Sequence, residues 1–156
     1  MKKILIGIDD SKFAEYATAY GFDLARKLKA QVGLIHINEP IVTAPVASVD
    51  PGIGMPFDDS ADMILPELYH IQDERARKLI SATIKKHGGG MQITTFNDYG
   101  STADGILKCS EEFGADMIVV GTHSRTGIDR FLMGSIAEDV VRHAQVPVLV
   151  VPMKGE

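Results

Sequence analysis

Four short stretches of uninterrupted apolar residues set the first limit on this chain: ILIGI at 4–8, VGLIHI at 32–37, MIVV at 117–120 and VPVLVV at 146–151. Turn-forming residues bound each of them, and none alternates with polar positions. A strand with one wet face alternates. A strand covered on both faces does not, which is the condition inside a parallel sheet flanked by helices. MQITTF at 91–96 is a more polar fifth candidate and belongs nearer an edge.

The segments between carry helical spacing. Between Ser11 and Lys29, Phe13, Ala17, Tyr20, Leu24 and Leu28 recur at three and four residues, and Ser11 or Asp10 can cap the first turn. From Pro66 to His87, Tyr69, Gln72, Ala76, Leu79, Ile80 and Thr83 mark a less apolar face, and GGG at 88–90 stops it. From Ser101 to Phe113 the stripe is Ile106, Leu107, Ser110 and Phe113, closed by Gly114. From Ser135 to Ala144, Ile136, Val140 and Ala144 face one way, and Ser135 and Glu138 have capping-box spacing. Strands that alternate with helices, joined by right-handed crossovers, predict a doubly wound α/β fold: a parallel sheet with helices on both faces.

No second composition regime interrupts residues 1–156, so the chain reads as a single domain. Its one irregular stretch is a long loop at about 38–65, with four of the seven prolines. Loops this long are functional lids or mobile insertions, and a mobile insertion is the first expectation; alternatively, Ile41, Val42, Val46 and Met55 could pack on a partner subunit. With 45% hydrophobic and 24% charged residues, the composition is that of a soluble globule. A net charge of −5 argues against a nucleic-acid partner, because phosphate contacts need a basic face. Cys109 is alone, so no internal disulfide forms and a reducing compartment is expected. The N-terminal apolar run is too short for a membrane span or signal core, which predicts a cytoplasmic protein.

In a doubly wound sheet, ligands bind beyond the carboxyl ends of the strands, where strand order reverses. Three stretches meet there: IDDS after the first strand, HINE after the second, and GTHSRTGIDRFLMGS at 121–135. The last is long, since a strand-to-helix turn needs only about two to six residues. It closes on Gly134-Ser135 at a helix start, where unpaired amides and the helix dipole hold anions. His123, Arg125 and Arg130 can add positive charge. The same residues also admit a plain role, with Gly121 and Gly127 as turn glycines, Ser135 as a cap and the arginines solvated. Asp9 can contact a ribose hydroxyl or a metal-bound water, or simply cap a helix. His36, inside an apolar strand, is expected to be a satisfied core histidine, and Cys109 a small core residue. The histidines show no metal-ligand spacing.

Taken together, these residues resemble the universal stress protein family over essentially the whole chain. The nucleotide-binding branch carries glycine, two residues, glycine, nine residues, then glycine and Ser or Thr. In that register stand Gly121, Ser124 where the second glycine would be, and Gly134-Ser135. ILIGIDDS, LIHINE and the closing VPVLVVP support the match. The resemblance implies a five-stranded sheet of order 3-2-1-4-5, and ATP (or AMP or ADP) at the switch point, with Mg2+ held mainly through the phosphates. It implies that Asp9 and the Ile37 backbone meet the adenosine, that Val120 and Gly121 line adenine and ribose, and that Ser124, Gly134, Ser135 and Ile136 hold phosphates. It also implies a homodimer through the last strand, Val146 to Val151, and a stress-response or signalling role without rapid catalysis. The family includes members that do not bind ATP, and loss of a loop glycine is one of their signs. A non-nucleotide interaction protein and a slow ATPase or self-phosphorylating protein are the alternatives.

Overall fold

The computed structural model describes residues 1–40, 60–122 and 133–152, with the side chains of 60–65 outside that description. Elements follow in the order β1 (Lys3–Gly7), α1 (Lys12–Leu28), β2 (Gln31–Asn38), α2 (Ser60–His87), β3 (Ile93–Tyr99), α3 (Thr102–Phe113), β4 (Met117–Gly121), α4 (Ser135–His143) and β5 (Val148–Val151). All strand pairs are parallel, in the order β3-β2-β1-β4-β5. The order reverses between β1 and β4, as a doubly wound sheet requires.

Two cores explain the uninterrupted apolar runs. On one face Leu5, Ile35, Ile37, Ile118 and Val120 pack against Ile106, Phe113 and Val140 of α3 and α4. On the other, Ile4, Ile6, Val32, Leu34 and Val119 meet Ala17, Phe22 and Ala25 of α1, with Leu79, Ile80 and Ile84 of α2 beside them. Successive residues of one strand therefore enter opposite cores, so a polar residue has no place in the run. β3 is one of the two edge strands. Its Thr94, Thr95, Asn97 and Asp98 are exposed, which accounts for its more polar sequence.

The caps follow the sequence closely in two helices. Ser11 Oγ accepts from the Ala14 amide at 3.1 Å and starts α1. Gly114, with φ of 67°, closes α3 in the left-handed conformation that glycine adopts without a Cβ penalty.

Three expectations need correction. The expected stripe of α1 was Phe13, Ala17, Tyr20, Leu24 and Leu28. The buried face is instead Ala14, Ala17, Thr18, Gly21, Phe22 and Ala25, while Tyr20 and Leu28 stand exposed. Small side chains let the helix lie close on the sheet around Phe22, the one large side chain of that face, while Tyr20 and Leu28 fall to its flank. α2 begins at Ser60 rather than Pro66, so Pro66 sits inside the helix. Proline reads as a helix start because it lacks an N–H. Here it is tolerated beyond the first turn, where its ring usually disfavours the helix. β3 begins two residues later than MQITTF suggests and runs on to Tyr99. Its polar second half gains ladder bonds from β2 that the local sequence does not advertise.

Candidate functional site

β1, β2 and β4 end side by side, and each delivers a residue expected at the site. Asp9 lies two residues past β1. Its Oδ1 accepts from the Ser11 amide at 2.7 Å, a local turn that fixes the entry to α1. Asp9 therefore does not cap α1 itself, since Ser11 is the cap residue, but it holds the Ser11 amide just ahead of the helix. Among the described residues, its other oxygen takes no hydrogen bond.

Ile37 is the penultimate residue of β2 and is buried. Its side chain packs on α3 at Gly105, where any Cβ would collide with Ile37 Cδ1. The side chain is committed to the core, which leaves the backbone as what Ile37 can offer a ligand. His36 is half-buried, and its Nδ1 lies 3.0 Å from the Ile8 carbonyl oxygen. A carbonyl only accepts, so Nδ1 carries the proton in that bond. The expected satisfied histidine therefore has a specific task, which is to tie the exits of β1 and β2 together.

Val120 and Gly121 end β4. Val120 is buried under α3 and α4. A Cβ on Gly121 would stand 2.9 Å from Phe13 O and 3.0 Å from Phe13 C, in the backbone of the first turn of α1. Gly121 is therefore required by close approach rather than by a turn, whatever the ligand.

Gly134, Ser135 and Ile136 open α4. Gly134 N donates to Thr122 O, and Thr122 N in turn donates to Val151 O at 3.3 Å. Thr122 and Gly134 thus form a hydrogen-bonded neck at the end of β4, tied in turn to the end of β5. The expected capping box is not made. Gly134 is the cap residue, since its carbonyl accepts the first helical bond from Glu138 N at 2.9 Å, and no side chain caps the turn. Ser135 already belongs to the helix, and Glu138 reaches forward to Arg142 at 2.7 Å. The exposed Ser135 hydroxyl and the first-turn amides are consequently free of capping partners among the described residues, a ready cradle for an anion.

Ser124 lies outside the described residues, as do His123, Arg125, Gly127 and Arg130. No group of three or more metal-ligating side chains occurs among the described residues, and no described helix is long and apolar enough to cross a membrane. Cys109 is buried in the α3 core, as expected, and burial pushes its thiol up to about 12. A groove of about 610 Å3 is lined by α2 residues, among them Tyr69, His70, Asp73 and Arg77. None of the expected site residues lines it.

Comparison with known proteins places this geometry in a family. The model of the universal stress protein family matches residues 1–152. The chain belongs to the universal stress protein family. Its relatives include universal stress protein MJ0531 of Methanocaldococcus jannaschii, 33% identical over 150 residues, covering 96% of this chain and 81% of that protein. The structure of hypothetical protein MJ0577 superposes with a TM-score of 0.79 at 26% identity, covering 99% of this chain and 98% of the other. Two further structures share the fold. One is an Arabidopsis thaliana family member with AMP bound (TM-score 0.64, 17% identical, covering 99% and 94%). The other is a universal stress protein in complex with cAMP (TM-score 0.61, 18% identical, covering 97% and 96%).

One polar cluster was missed from sequence. Asn38, at the end of β2, is 5% exposed and bonds to Asn97 of β3, which in turn bonds to Asp73 of α2. Residues 59 and 24 positions apart carry no local signal of meeting. Only the buried polar residue closing β2 hints that a partner awaits it.

Proposed function

We propose that this universal stress protein binds an adenine nucleotide, ATP with Mg2+ held mainly by the phosphates, and works as a nucleotide-dependent stress-response or signalling module. The observation that carries the proposal is the uncapped α4 N-terminus, brought back beside the end of β4 by the Thr122–Gly134 hydrogen bond. Phosphates would lie on the amides of Ser135 and Ile136, where Gly134 permits close approach and the Ser135 hydroxyl can donate. Ser124 would add a hydroxyl from the loop. The adenosine would meet Asp9, the backbone of Ile37, Val120 and Gly121. Proteins of the same fold that hold AMP or cAMP support this class of ligand.

Calorimetric titration with ATP, with and without Mg2+, and with AMP as comparator, tests it. Micromolar binding, tighter for ATP than for AMP, is the expected outcome. No heat, together with an unchanged melting temperature in saturating Mg-ATP, would remove the proposal.

A homodimer through the last strand is proposed with it. β5 is the second edge of the sheet, and its Val148, Leu149 and Val150 are only half-buried. An apolar edge strand with unpaired backbone groups calls for cover.

A further inference from the structure

We propose that Asp73 is a positioning residue for the base end of the site, holding the exit of β2 through Asn97 and Tyr99. This rests on the nucleotide proposal above. A single oxygen of Asp73, Oδ1, accepts from Asn97 Nδ2 at 3.1 Å and from the Tyr99 hydroxyl at 2.8 Å. Asn97 Oδ1 accepts from Asn38 Nδ2 at 2.7 Å. The direction of this relay is set by its end. A carboxylate only accepts, so Asn97 must turn its amide NH2 toward Asp73 and its oxygen toward Asn38.

Two adjacent α2 residues therefore grip the same exit. Asp73 reaches Asn38 through Asn97, while Gln72 Nε2 donates to the Glu39 carbonyl at 3.2 Å. Gly100 N adds a third hold, donating to Asn38 O at 3.0 Å. Tyr99 stacks edge-on against Tyr69, with ring centroids 5.5 Å apart, which braces the hydroxyl in place. Loss of hydration, followed by the bond to Asp73, pushes the Tyr99 hydroxyl up to about 12, so it remains a donor at neutral pH.

The consequence falls on the preceding residue. The Ile37 side chain is fixed in the core, so its peptide groups are what it can show to a base. A hydrogen bond weakens steeply when its angle falls, so a backbone reader discriminates between bases only if its peptide planes are held. On the β1 side the β2 exit is held by the His36 bond to the Ile8 carbonyl, and on the other side by α2 and the β3–α3 junction, neither of which carries an expected ligand contact.

The test is a titration of the full chain with ATP, AMP and GTP for the wild type, Asp73→Ala, Asp73→Asn and Tyr99→Phe. Asp73→Ala is expected to weaken ATP and AMP alike, by about fivefold to tenfold, and to shrink the preference for ATP over GTP. Tyr99→Phe should show a smaller loss of the same kind, and Asp73→Asn, which keeps an accepting oxygen, should restore most of the affinity. A merely structural residue would lower the melting temperature without changing base preference. Unchanged affinity and unchanged ATP-to-GTP ratio in both Asp73→Ala and Tyr99→Phe would overturn the proposal. If Asp73→Ala does not fold, Tyr99→Phe decides alone. If the wild type binds no nucleotide, the proposed function fails, and exchange of the Gly100 amide judges the hold instead. Faster exchange in Asp73→Ala than in Asp73→Asn supports it, and equal rates overturn it.

Discussion

Gly121 is the position where one missing atom matters most. The first turn of α1 occupies the space its Cβ would need, and what stands there is backbone, which cannot rotate away. Gly121→Ala should destabilise the fold by about 1–3 kcal/mol, the usual range for an overpacked core. Chemical denaturation reads the stability, and nucleotide titration reads the companion loss at the β4 end. Cys109 gives a second prediction. Its buried, protonated thiol should resist a maleimide in the native protein and react fully in denaturant. Fast native labelling would show that the α3 core opens readily.

Tyr99 supplies the pH dependence. Its hydroxyl is raised from 10.0 to about 12 in the fold, so on raising the pH the unfolded chain gives up its proton first. The stabilisation is complete below pH 10 and is lost as pH climbs towards 12. Tyr99→Phe should flatten that part of a stability–pH curve, and an identical curve would mean that the hydroxyl is as free in the fold as in the unfolded chain.

At the scale of elements, the helix caps are separable from the site. Ser11→Ala removes the acceptor of the Ala14 amide and should cost about 1 kcal/mol, the typical value for an N-cap. Denaturant melting checks it. The sequence disclosed β1, β2 and β4 because strands buried on both faces must be apolar throughout, a signal carried by neighbouring residues alone, and β5 because its edge is aliphatic too although only half-buried. It disclosed Asp9, Ile37, Gly121 and Gly134-Ser135 as a group because parallel strands all end on one side. What it hid was relational. The buried face of α1 is chosen by how closely a helix of small residues can approach the sheet, and the start of α2 by turns that continue ahead of Pro66. The Asn38–Asn97–Asp73 relay joins three elements that only folding brings together. Ser135 was misplaced by a single residue. The capping-box spacing is real, but the carbonyl that starts α4 belongs to Gly134.

At the scale of the molecule, the two edges of the sheet are treated differently. β3 carries exposed threonines, an asparagine and an aspartate, whereas β5 is wholly aliphatic. The predicted outcome is a self-association that sedimentation detects as twice the 16.9 kDa chain mass, insensitive to salt because apolar contacts carry it. A single 16.9 kDa species across concentrations would exclude pairing at β5.

The neck at Thr122 and Gly134 has a consequence for how such a protein can change over generations. Because Gly134 is fastened to Thr122, and Thr122 to the end of β5, two backbone hydrogen bonds set where α4 starts relative to the sheet. The spacing between the end of β4 and the start of α4 is thus inherited with the backbone itself, independently of the side chains that gather there.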